Sequence, residues 1–113
     1  MKVLLATAGN DVAPRFDLTG EVTITHIEHG AVSQAPRELL LSEPSGDELC
    51  ALAVSESVDT VICGGIDDVH REYLAWKKIR IIDGVIGPYR EALELLAADN
   101  LAPETVLSGA RAH

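Results

Sequence analysis

The chain has 113 residues, enough for one domain whose single core needs neither metal nor disulfide staples. Nine basic against 18 acidic residues give a formal charge of −9, which argues against nucleic acid, because affinity for a phosphate backbone comes chiefly from lysine and arginine. Apolar residues make up 47% of the chain, yet no run is long enough to span a bilayer, so no membrane partner is expected.

Lys2 to Ala8 is an apolar, β-prone run, read as a first strand rather than a secretion leader because it is very short and Asn10-Asp11 follow at once. A loop from Gly9 to Phe16 contains Pro14. Glu21 to Ile27 alternates, which predicts a half-buried antiparallel strand. Val22, Ile24 and His26 take its inner face, and Glu21, Thr23 and Thr25 its outer one. After a His29-Gly30 turn, Val32 to Leu41 reads as a third strand, which Pro36 marks as an edge or a bulge.

Ser45-Gly46-Asp47-Glu48 fits a capping box opening a helix to about Glu56, with Leu49, Leu52 and Ala53 inward. Val58 to Cys63 is apolar enough for a central strand covered on both faces. Asp67-Asp68 opens a second helix ending near Lys78, its acids and lysines placed to complement the helix dipole. Ile79 to Ile82 is a fifth strand, and Pro88 leads a third helix from Tyr89 to about Ala98, with Ala92, Leu93 and Leu96 inward. Residues 1–101 form the domain; 102–113 are expected to be a tail, loose or docked on a partner.

Three strands that can meander, followed by βα units, predict an α/β fold with a mixed five-stranded sheet flanked by helices. The C-terminal ends of the first, fourth and fifth strands would bring three loops to one edge: Thr7 to Phe16, Gly64 to Asp67, and Asp83 to Pro88. Open α/β sheets bind ligands there. Backbone N–H groups of Gly64-Gly65-Ile66 and Gly84-Val85-Ile86-Gly87, with Thr7, Asn10 and Arg15, would make an electropositive pocket for an anion. The alternative is that tight βα turns need glycine anyway.

Cys63, ending the central strand, is either a thiolate ligand for a soft metal or a small buried hydrophobe. His70 is either a ligand or proton donor above the same crevice, or a surface histidine. Asp67, Asp68 and Asp83 serve as oxygen ligands or as caps and turn residues; Cys50 packs in a helix, and Tyr73 and Trp76 are packing or interface residues. No nucleophile elbow, phosphate-loop lysine motif or His-Glu-x-x-His occurs, and Lys2 to Ala8 carries no carboxylate for a two-metal nuclease. A non-enzymatic protein is therefore expected. Two cysteines without zinc-site spacing suit a reducing cytoplasm.

Three segments in this order carry a likeness over nearly the whole chain: Val12-Ala13-Pro14-Arg15-Phe16, then Val58-Asp59-Thr60-Val61-Ile62-Cys63-Gly64-Gly65-Ile66, then Gly87-Pro88-Tyr89-Arg90-Glu91-Ala92-Leu93 with Asn100-Leu101 closing. The chain resembles the dinitrogenase iron-molybdenum cofactor biosynthesis family. That resemblance implies a ribonuclease-H-like three-layer fold without nuclease activity. It also implies carriage of an anionic metal-sulfur cluster containing molybdenum, iron or both, exchanged with a donor or acceptor protein and held with or without direct protein ligands. Where the family often has His-Phe-Gly, this chain has Arg15-Phe16-Asp17, so Arg15 would neutralise a cluster by charge rather than bind its metal. A different class of function remains beside it: an interaction or regulatory module with no cluster, using the acidic surface and the Trp76 region.

Overall fold

The computed structural model describes residues 1–110. Seven strands form one mixed sheet: β1 Lys2–Ala8, β2 Asp11–Val12, β3 Glu21–Glu28, β4 Ala31–Val32, β5 Arg37–Leu40, β6 Thr60–Ile62 and β7 Arg80–Ile82. Central β1 pairs antiparallel with β3 (Leu4 opposite Ile24) and parallel with β6 (Leu4 opposite Val61), and β6 pairs parallel with β7. Helices α1 Gly46–Ser55, α2 Asp68–Trp76 and α3 Tyr89–Ala97 cover the two faces. None is long and apolar enough to cross a membrane.

The alternation of β1 builds both cores. Leu4 and Ala6 join Leu49, Ala53, Val61 and Leu74 under α1 and α2, while Val3 and Leu5 join Ile62, Ile82, Leu93 and Leu96 under α3. The Ser45 hydroxyl caps α1 by accepting from the Glu48 amide at 3.1 Å, and the Asp67 carboxylate caps α2 by accepting from the His70 amide at 3.3 Å.

The expected third strand is divided. Between the pairs Ile27–Val32 and Ile24–Arg37, two residues of β3 face four residues of its neighbour, so the stretch ending at Pro36 bulges and leaves β4 and β5 as separate pieces on one edge. Two-residue β2 and β4 account for the strands beyond five. Nor is β3 half-exposed: Thr23 and Thr25 are buried, their hydroxyls meeting Thr7 Oγ1 at 3.5 Å and the Gln34 carbonyl at 3.0 Å. Threonine hid this burial because its hydroxyl reads as polar, although a local partner lets it be enclosed.

The tail is not loose over its described part. Leu107 is buried in the α3-side core, its amide donates to Ile86 O at 2.9 Å, and the Glu91 carboxylate accepts from the Ser108 and Gly109 amides. Residues 111–113 of the expected tail lie outside the described residues.

Candidate functional site

Three loops do converge at the C-terminal edge of β1, β6 and β7. The Gly65 amide donates to Pro14 O and the Phe16 amide to Gly65 O, both at 2.8 Å, stitching the first loop to the second. The Gly84 amide donates to Gly64 O at 2.8 Å and the Val85 amide to Cys63 O at 3.1 Å, stitching the second to the third. Between them lies a crevice of about 210 Å³ lined by Val12, Pro14, Gly64, Gly65, Gly84, Val85 and Ile86. A strap from the tail borders it, since Ile86 bridges to Val106 and its amide donates to Thr105 O at 3.0 Å.

This is not the electropositive pocket expected. The amides of Gly65, Gly84, Val85 and Ile86 are occupied by loop carbonyls, so they are not offered to an anion. Close approach explains much of the glycine: a Cβ on Gly64 would lie 2.4 Å from Ala13 O and 2.6 Å from Pro14 O, so the room there is filled by the protein's own backbone. Gly65 differs, being exposed with only Pro14 O at 3.4 Å from such a Cβ, and it forms the open side. The lining is mainly hydrocarbon.

Arg15 stands at the rim, its backbone bridged to Gly65. Its guanidinium donates to both Asp17 carboxylate oxygens, at 3.1 and 2.7 Å, and the side chain is 63% exposed. Arg71 pairs with Asp83 at the start of the third loop, so this cation too is already matched by a carboxylate.

Cys63 does not face the crevice. Its side chain is buried in the core beneath α1 and α2, and desolvation, with the nearby Asp83 charge adding to it and Arg71 opposing, pushes the thiol up to about 12. A protonated, enclosed thiol is a small hydrophobe, the second of the two readings above. His70 also lies elsewhere. Nδ1 is 2.5 Å from Asp67 Oδ1 and Nε2 is 2.9 Å from Asp47 Oδ1, and the ring centroid is 5.6 Å from that of Phe16. Both nitrogens are taken by carboxylates, which makes His70 a bridge from the start of α2 to the start of α1. Among the described residues no group of three or more His, Cys, Asp or Glu side chains could hold a metal ion.

The bridge titrates. Desolvation alone would lower the His70 pKa, but hydrogen bonds to Asp67 and Asp47 outweigh it and the net shift is upward. A raised folded-state value means a stabilising contribution fully present below the ordinary 6.5 and lost as pH rises through the raised value. The difference in urea midpoint between the native protein and His70→Gln should accordingly shrink on the alkaline side. A difference independent of pH contradicts the bridge.

Thr7 and Asn10 line a separate cavity of about 420 Å³ with Gly9, Glu21, Glu38 and Leu40. Ile66 packs half-buried against the α1/α2-side core, and Gly87 lies buried beneath Leu107. Of the predicted set, Gly64, Gly65, Gly84, Val85 and Ile86 thus share the crevice, with Arg15 at its rim. Val12 and the Thr105–Val106 strap were not singled out; Val12 stands in the Val12-to-Phe16 segment, while the tail carries no periodic signal.

Fold and site together define a small α/β domain with a hydrocarbon-lined crevice at the C-terminal edge of a mixed sheet. The chain belongs to the dinitrogenase iron-molybdenum cofactor family, whose model matches residues 1–99. The structure of PH0822 superposes with a TM-score of 0.83 at 17% identity, covering 92% of this chain and 95% of that one. A candidate dinitrogenase from Methanocaldococcus jannaschii gives 0.72 at 21% identity, over 90% and 92% of the two chains. A candidate NifB protein from Thermotoga, placed in the DUF35 family, gives 0.70 at 18% identity, over 93% and 95%. These likenesses support the fold. No curated protein matches the chain significantly.

Proposed function

We propose that this protein is a non-enzymatic accessory of iron-molybdenum cofactor biosynthesis that receives a metal-sulfur cluster as cargo in the crevice between Pro14-Arg15, Gly64-Gly65 and Gly84 to Ile86. The observation that carries this reading is the convergence of the three loops on one crevice, left open at Gly65, in a chain of this family. Sulfide faces are soft and spread their charge widely, so hydrocarbon walls suit them better than they suit a phosphate. Cys63 is enclosed and His70 is engaged, so the cargo keeps its own metal ligands. Arg15 supplies the charge: turning from Asp17 to the cargo exchanges one anion for another.

Anaerobic incubation with tetrathiomolybdate or a preformed iron-sulfur cluster, followed by desalting and metal analysis, tests the proposal. One cluster should remain per chain, and Gly65→Leu, whose side chain fills the open side, should weaken retention by roughly tenfold while leaving the fold intact. No retention by the native protein rejects the carrier reading.

A further inference from the structure

Helix α2 turns an apolar stripe outward. Val69, Tyr73 and Trp76 follow helical spacing, and Val69 and Trp76 are 73% and 72% exposed. Beside the stripe, Val69, His70 and Tyr73 form one wall of a groove of about 240 Å³ whose other wall is Asp47, Cys50 and Ala51 of α1. The two helices run in the same direction. Their N-termini are tied through Asp47, His70 and Asp67, and their C-termini flank a second hollow whose lining includes Val54, Asp59, Lys77 and Lys78. One pole of this face is therefore acidic, with Asp47, Asp67 and Asp68, and the other is net basic, with Lys77 and Lys78 against Asp59, while exposed Glu72 lies between them on α2. The Lys77 ammonium lies 4.4 Å from the Trp76 ring centroid.

We propose that this face docks a second copy of the chain, with the two α2 helices antiparallel about a two-fold axis near Tyr73. Charge complementarity selects this occupant. A uniformly acidic segment would match the lysines and be repelled at Asp47, whereas an antiparallel copy sets each acidic pole against a basic one and lays Val69 against Trp76 of the partner subunit. The net charge of −9 opposes approach over distance, but a screening length of about 8 Å at physiological salt leaves the local contacts to decide. The stripe is short, so the dimer is weak and forms in the tens to hundreds of micromolar range.

Sedimentation equilibrium of the full chain over rising concentration, at physiological salt, tests this. A monomer–dimer equilibrium is expected, with a blue shift in emission from Trp76, the chain's one tryptophan. Trp76→Ala should weaken association at least tenfold, roughly 1.4 kcal/mol. Asp47→Lys and Lys77→Glu should each weaken it, and the double variant, which restores opposite charges across the axis, should recover it. Lys77→Glu alters an exposed side chain and keeps the test valid if Asp47→Lys disturbs the His70 bridge. A monomer at every concentration overturns the proposal, as does a dimer indifferent to Trp76→Ala or a double variant without recovery. Shielding of Trp76 by an added acidic peptide, in a protein that stays monomeric, likewise overturns it.

Discussion

Gly64→Ala will destabilise the protein by about 3 kcal/mol, at the upper end of what one added methyl costs in a packed site, while Gly65→Ala will be close to neutral. A methyl on Gly64 meets three backbone atoms of Ala13 and Pro14 between 2.4 and 2.8 Å, and backbone cannot turn away as a flexible side chain can. Relief would require parting the first loop from the second, with loss of the bonds from Gly65 N to Pro14 O and from Phe16 N to Gly65 O. The added methyl on Gly65 reaches only Pro14 O at 3.4 Å and otherwise projects into the open crevice. Thermal unfolding reads the contrast directly: a loss of roughly 10–20 °C at position 64 and little change at 65. Equal effects would mean that the loops are not in contact as described.

The second large effect is expected at Phe16, 1% exposed in the α1/α2-side core. Phe16→Ala should cost about 3–5 kcal/mol, since it removes a buried ring and leaves a cavity. The site would feel it too. Phe16 directly follows Arg15, its amide holds the Gly65 carbonyl, and its ring packs on His70, so it anchors the crevice rim to the α1–α2 bridge. Urea unfolding should show the loss, and the remaining folded fraction should retain cargo more weakly. A variant destabilised by less than 1 kcal/mol would show that Phe16 is not the anchor.

Much of this was legible because hydrophobic period and punctuation agree. The apolar run in Lys2 to Ala8 marked a first strand, Val58 to Cys63 marked a central one covered on both faces, and Ser45, Asp67 and Pro88 marked three helix starts that the structure places within a residue or two. The loops converged because parallel strands β1, β6 and β7 must end on the same edge. Less legible was anything depending on the direction of a single side chain. Glycines around a crevice read the same whether a ligand or the chain's own carbonyls fill the space, and at Gly64 the carbonyls do. Cys63 sits at the end of a strand, where one step in the pleat separates crevice from core, and the pleat sends it to the core. His70 meets Asp47 from 23 residues upstream, a pairing that local patterning does not encode.

The central claim is that cargo enters the crevice at Gly65, and amide chemical shifts on titrating the labelled protein anaerobically with tetrathiomolybdate test it most directly. The account predicts saturable changes confined to Arg15 and Phe16, Gly64 to Ile66 and Gly84 to Ile86, abolished by Gly65→Leu. Changes centred on His70 and Asp47, or on Thr7, Asn10 and Glu21, or none at all, would contradict it.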